Sequence, residues 1–240
     1  MFSMLVRRSS IPDLAAALSI AQSPGMTEST STQSSIARAL LPLFVVQFAC
    51  WSGMFLMWIG AYPIITSGIL QSDPANHRAL RQGMVVLAGC FSYYATVSAL
   101  LAFGIPALLR RTSPPLLLGL ATAIGAGGLA GLGLIDRPIL LVPCFTALAV
   151  GWCALSNLPY TIAGKLVPWQ QIDHWFRIFA FSSILPQLAV TAVLVLVIGD
   201  IDVAMARRIM QAAGAAMLTG SLLAVLLRKH LLGNAEEDDG

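Results

Sequence analysis

The sequence predicts an all-α polytopic membrane protein with six transmembrane helices. Three observations predict it. Charged residues make up only 10% of the 240, against about 25% in soluble domains, and a soluble chain this long still has to cover itself with polar surface. Mean hydropathy is +0.80. From residue 38 onward, apolar stretches of about 20 residues recur, each long enough to cross a hydrocarbon core as a helix. Backbone groups in lipid need partners within their own segment, which selects helices. The alternating segments of roughly ten residues that build a membrane barrel are absent.

Residues 1–37 read as a polar, flexible cytoplasmic segment. Arg7, Arg8 and Asp13 lie among apolar runs too short to span, and Pro12 and Asp13 fit a cleaved signal peptide poorly. The stretch SPGMTESTSTQSS at 23–35 is nearly free of aliphatics and reads as a linker. Residues 38–230 hold the six-helix bundle, and 231–240 an acidic tail ending AEEDDG.

The first span runs from Leu40 to about Leu70, long enough to tilt or to extend past the membrane, with Pro63 kinking it or ending its regular part. The second runs from Gly83 to Leu109, the third from Pro115 to Ile135 and the fourth from Ile139 to Gly164. The fifth runs from Ile178 to Ile198 and the sixth from Met205 to Leu227. Arg38, Arg110, Arg111, Lys165, Arg177, Arg228 and Lys229 fall on one side. Arg78, Arg81, Arg137, Arg207 and Arg208 fall on the other. The excess places both termini in the cytoplasm, with the cell (inner) membrane as the expected location.

No basic run of the sort that holds a phosphate backbone is present, so no nucleic-acid partner is expected. Cys50, Cys90, Cys144 and Cys153 all lie in apolar stretches without a CxxC pair, and read as small apolar groups, not as metal ligands or disulfides. His77, His174 and His230 are scattered. HExxH, GxSxG, GxxxxGK[ST] and GxGxxG after a strand are absent. No cofactor, metal or catalytic residue is expected, and the chain is not read as an enzyme.

Gln47, Trp51, Trp58 and Tyr62 are spaced by four, seven and four, which puts them on one helix face. Facing a polar cavity, the rings stack on the C–H faces of a sugar and the amide binds hydroxyls. Facing neighbouring helices, the tryptophans pack and Tyr62 anchors at the interface. The fourth span carries Ser156, Asn157, Pro159 and Tyr160 in WCALSNLPY. The fifth carries Pro186 and Gln187. Such interrupted helices line substrate sites in transporters, or bond across helices structurally. Ser92, Tyr93 and Tyr94 are consecutive and point different ways. Mid-span Asp, Glu, Lys, Arg and His are absent, and Arg81 at a helix end reads as a snorkelling side chain. Gly127 with Gly131, and Ala212, Ala216, Gly220 and Ala224, read as close-packing motifs.

From Pro159 the chain reads PYTIAGKLVPWQQIDHWFRIFAFSSILPQ. This resembles the tenth helix, loop and eleventh helix of the glycoside–pentoside–hexuronide and sucrose/proton symporters of the major facilitator superfamily. The opening VQFACWSGMFLMWIGAYP is similar to their seventh helix, and GIPALLRRTSP to the loop after their eighth. Lys165 stands where that family has an acidic residue, Asp173 and Arg177 where it has glycines, and Ala180 where it has Asn. The inverted charges predict a loop ion pair between Lys165 and Asp173. The resemblance covers residues 40–230 and implies the C-terminal half of a two-half transporter. Such a half moves a sugar or glycoside by proton-coupled alternating access, with a separate second half or a copy of itself. Gln47, Trp51, Trp58, Tyr62, Asn157, Tyr160 and Gln187 then bind the solute. The other readings are a non-transporting membrane scaffold or assembly factor, and a fragment of a truncated transporter gene.

Overall fold

The computed structural model describes residues 25–71, 76–198 and 201–232, with side chains from Gln33 onward and 197–198 excepted. The expected segment before residue 25 and the acidic tail from 233 lie outside the described residues. Within them the chain is all-α, with no strand. Six helices are long and apolar enough to cross a membrane, and the chain is an integral membrane protein. They are α1 (Gly25–Pro63), α2 (His77–Ala102), α3 (Pro114–Leu132), α4 (Leu141–Leu166), α5 (Ile172–Val193) and α6 (Val203–Leu226). Ala39 onward forms one compact unit, and the part of α1 before it belongs to a separate one.

Helix ends follow local chemistry. α1 reaches back to Gly25, so the Ser/Thr-rich stretch read as a linker is helical from there. Pro63 ends its α-helical part. Lacking an N–H, it breaks the ladder, and the chain continues as a π-turn over Ile64–Ile69 before Gln71, at φ 49°, stops it. The side-chain oxygen of Asn76 accepts from the Arg78 and Ala79 amides at 3.1 and 3.3 Å, and Asp202 accepts from the Met205 amide at 2.7 Å. These N-caps start α2 and α6 ahead of their apolar stretches. The second span, read as continuous to Leu109, is broken. Its helix stops at Ala102, and a short helix over Ile105–Leu109 follows. Ala102 is four residues before Pro106, whose ring excludes that carbonyl from a regular helix. α5 begins at Ile172, earlier than expected, because Trp175 and Phe179 are buried by the bundle and Trp175 bonds Gln171 at 3.3 Å.

The Lys165–Asp173 pair does not form; the ion pair found among the described residues joins Arg207 and Asp136. Lys165 lies in the last turn of α4 and Asp173 in the first turn of α5. Each charge complements the dipole of its own helix end, which needs no partner across the loop.

The core is a seam of small residues. α6 lies against both α1 and α3, and α3 against α4. A methyl added at Gly53 of α1 would sit 2.6 Å from the Ala213 carbonyl of α6, and one at Gly151 of α4 would sit 2.9 Å from Cα of Gly125 on α3. The Met217 side chain of α6 reaches all three of these glycines. On α6 the buried ridge is Ala206, Met210, Ala213, Met217, Gly220 and Ala224, at alternating steps of four and three. The expected ladder of constant fours is corrected, since Ala212 is exposed. With 3.6 residues per turn, steps of four drift around the helix, whereas alternating steps stay on one face. The Gly127–Gly131 motif is corrected at one of its two positions. Gly127 has open space around it, whereas a methyl at Gly131 would sit 3.1 Å from the Cys144 sulfur of α4, and α3 packs further through Gly125 and Gly128.

Polar side chains inside the spans bond mostly to their own helix. Ser52, Thr66, Thr96, Thr122, Thr146 and Thr219 each donate to the carbonyl four residues back at 2.7–2.9 Å. At one end of the bundle, Arg207 and Gln211 of α6 donate to the Gly133 and Ala130 carbonyls at 3.4 and 2.9 Å, capping the last turn of α3.

Candidate functional site

Trp152 of α4 is the hub of an aromatic cluster built by three helices. It meets Trp51 of α1 edge-on at 5.2 Å between centroids, Trp58 of α1 at 5.5 Å and Tyr94 of α2 at 5.6 Å. Phe55 sits between the two α1 tryptophans, at 5.7 Å from Trp51 and 4.8 Å from Trp58. Phe91 extends the cluster to Phe145 at 5.9 Å. Trp58, Phe91, Tyr94, Ala95 and Trp152 line a cavity of about 350 Å3. The edge-on angles leave ring faces free to line it.

Three buried polar atoms at this end of the site have no hydrogen-bond partner: Oε1 of Gln47, Nε1 of Trp51 and the Tyr94 hydroxyl. Gln47 is 2% and Tyr94 5% exposed. An unpartnered group of this kind costs about 1–3 kcal/mol, so three within one region are a notable debt in a bundle that otherwise satisfies its polar side chains. The Trp58 indole lies beside the Tyr94 hydroxyl, outside hydrogen-bonding geometry.

The residues singled out from the sequence do not converge on one point. Trp58 lines the cavity, Trp51 touches its hub, and Gln47 lies one turn along α1. Tyr160 joins a second aromatic group, edge-on to Phe176 and Phe179 of α5 at 5.6 and 5.3 Å, with Phe44 of α1 at 5.3 Å from Phe179. Trp152, Ser156 and Tyr160 are four residues apart, so both groups lie along one face of α4, about 12 Å from end to end. Asn157 is exposed beside that line, and its amide donates to the Cys153 carbonyl at 2.7 Å. Tyr62 and Gln187 are exposed and belong to neither group.

Sequence reasoning missed Phe91 and Trp152, and named Tyr94 beside Ser92 and Tyr93 without choosing among them. The four-residue step from Trp152 through Ser156 to Tyr160 was the available signal. For Tyr94 the sequence did not decide between it and Tyr93, which is equally aromatic and is spent on a 2.8 Å bond to Thr146. No charged residue lines the cavity. The four cysteines are free thiols. Among the described residues no group of three or more His, Cys, Asp or Glu is placed to hold a metal ion. The arrangement suits reversible binding of an uncharged solute with an apolar face.

Comparison with protein-family models, with curated proteins and with solved structures found no match to this chain.

Proposed function

We propose that the chain is one half of a major-facilitator-type transporter for a sugar or glycoside, working by alternating access against a second six-helix half or a copy of itself. The observation that carries this reading is the aromatic cavity shared by α1, α2 and α4, lined in part by Tyr94, whose buried hydroxyl has no hydrogen-bond partner. Ring faces stack on the C–H face of a pyranose, and a phenol donates to one of its hydroxyls. The exposed Asn157 and Tyr160 extend the same face of α4 with groups that lipid serves poorly and a polar path serves well. Mid-span acids and bases are absent from the described helices, so a coupling proton is assigned to the second half. The proposed orientation keeps both termini in the cytoplasm.

The test is counterflow of labelled glycosides in liposomes carrying the chain alone, and the chain with a candidate second half. Intrinsic tryptophan fluorescence provides a parallel binding readout, because Trp58 and Trp152 form the wall. Saturable flux in either preparation supports the reading. Neither flux nor a fluorescence response to any glycoside sinks it. Capture of one larger membrane complex without flux would favour a scaffold instead.

A further inference from the structure

A second cavity lies on the other side of α4. It is a groove of about 230 Å3, and every residue lining it is apolar or a cysteine. Leu101 of α2, Ile105 and Leu108 of the short helix, Leu117, Leu120 and Ile124 of α3, and Leu158 of α4 form its walls. It lies where α2 breaks at Phe103 and Gly104, ahead of Pro106, and the short helix follows. Leu101, Leu108, Leu120 and Ile124 are 40–55% exposed, so the groove opens sideways toward lipid. From Leu117 to Ile124 it runs about 10 Å along α3 toward mid-membrane, well into one leaflet of a ~30 Å core.

The mouth of this groove is basic. Leu108 is followed at once by Leu109, Arg110, Arg111, Thr112 and Ser113. Both arginines are exposed, and neither has an ion-pair or side-chain hydrogen-bond partner among the described residues. Ser113 occupies the N-cap position of α3, yet its hydroxyl makes no cap bond. Lys165, Arg228 and Lys229 close the same face of the bundle, where the helix Arg228–Leu232 packs on α3 and α4. From α2 to Leu232, the one described acid on that face is Asp173.

We propose that this groove is a binding site for an anionic phospholipid, with one acyl chain along Leu117–Ile124 and the phosphate on Arg110, Arg111 and Ser113. Apolar walls open to the bilayer take an acyl chain, and unpaired arginines at headgroup depth supply the charge complement. The site is separate from the aromatic cavity and stands whether or not the chain transports a solute.

The test is native mass spectrometry of the full chain offered equal amounts of dioleoyl-phosphatidylglycerol and dioleoyl-phosphatidylcholine. The wild type should prefer the anionic lipid roughly 30-fold, about fivefold for each arginine. Arg110→Gln with Arg111→Gln should abolish the preference while neutral lipid still binds. Leu120→Trp, at an exposed position that tolerates bulk, should fill the groove and lower retention of both lipids. Inorganic phosphate at equal concentration should not displace the lipid, since the chain contributes binding. Equal retention of the two lipids by the wild type, a preference unchanged in the double variant, or full displacement by phosphate would each overturn the proposal.

Discussion

Two regions meet on α1 and α4 and are built on opposite principles. The seam among α1, α3, α4 and α6 brings backbones together through glycine and alanine, and polar groups there are satisfied, as Ser221 is by the Gly119 carbonyl at 2.5 Å. The face shared by α1, α2 and α4 is made of bulky aromatic side chains, borders an open cavity and leaves the Trp51 indole and Tyr94 hydroxyl unpaired. In lipid there is little hydrophobic gain in bringing helices together, so close packing holds the bundle and the seam is its stability. The aromatic face is poor as packing. Its cost has a physical reason if a solute fills it.

This contrast predicts that changes in the two regions differ in sign as well as size. The largest effect belongs to Gly151→Leu. Its side chain would meet the Gly125 backbone of α3 at 2.9 Å as well as the Met217 side chain of α6, and thermal unfolding of the purified protein should show a loss of more than about 3 kcal/mol or no folded protein. Trp152→Ala removes three ring contacts. It should lower solute affinity roughly tenfold or more in fluorescence titration and cost about 3 kcal/mol of stability. The sharper probe is Tyr94→Phe. Deleting a hydroxyl that has no protein partner should leave stability unchanged or raise it by about 1 kcal/mol, while solute affinity falls about fivefold. If stability falls instead, the hydroxyl is structural and the distinction between the two regions fails there. The smallest effect is Gly127→Ala, which should raise stability by roughly 0.5–1 kcal/mol through helix propensity alone, because the position has open space around it.

The number and order of the spans were legible because about 20 apolar residues in a row have few alternative uses. Ends were less so. Hydropathy sees the apolar part of a helix, not the capped polar turn that precedes it, so α2 was placed from Gly83 although Asn76 caps it. The break after Ala102 was hidden because the residues around Pro106 are apolar throughout. Within the candidate site, the α1 stripe was legible for Trp51 and Trp58, whose spacing of seven returns to the same face. Tyr94 and Trp152 come from other helices, and which face of each meets the tryptophans is a matter of packing that no single-helix pattern contains. The small-residue motifs were right at Gly131, Gly220 and Ala224 and misled at Gly127 and Ala212 for a related reason. Motif spacing identifies candidate faces, but Gly127 and Gly125 differ by two residues and only the neighbours decide which is used.

Met217 is the point where α1, α3 and α4 all touch α6. During synthesis α6 leaves the ribosome after the other five spans. Until it inserts, Gly53, Gly125 and Gly151 border a slot with nothing to close it. α3 and α4 already meet directly through Gly125 and Gly151, so what waits for α6 is the closure of α1 onto that pair. A chain ending before residue 203 would keep the hydropathy of its five spans but lack the thioether that fills the space between them.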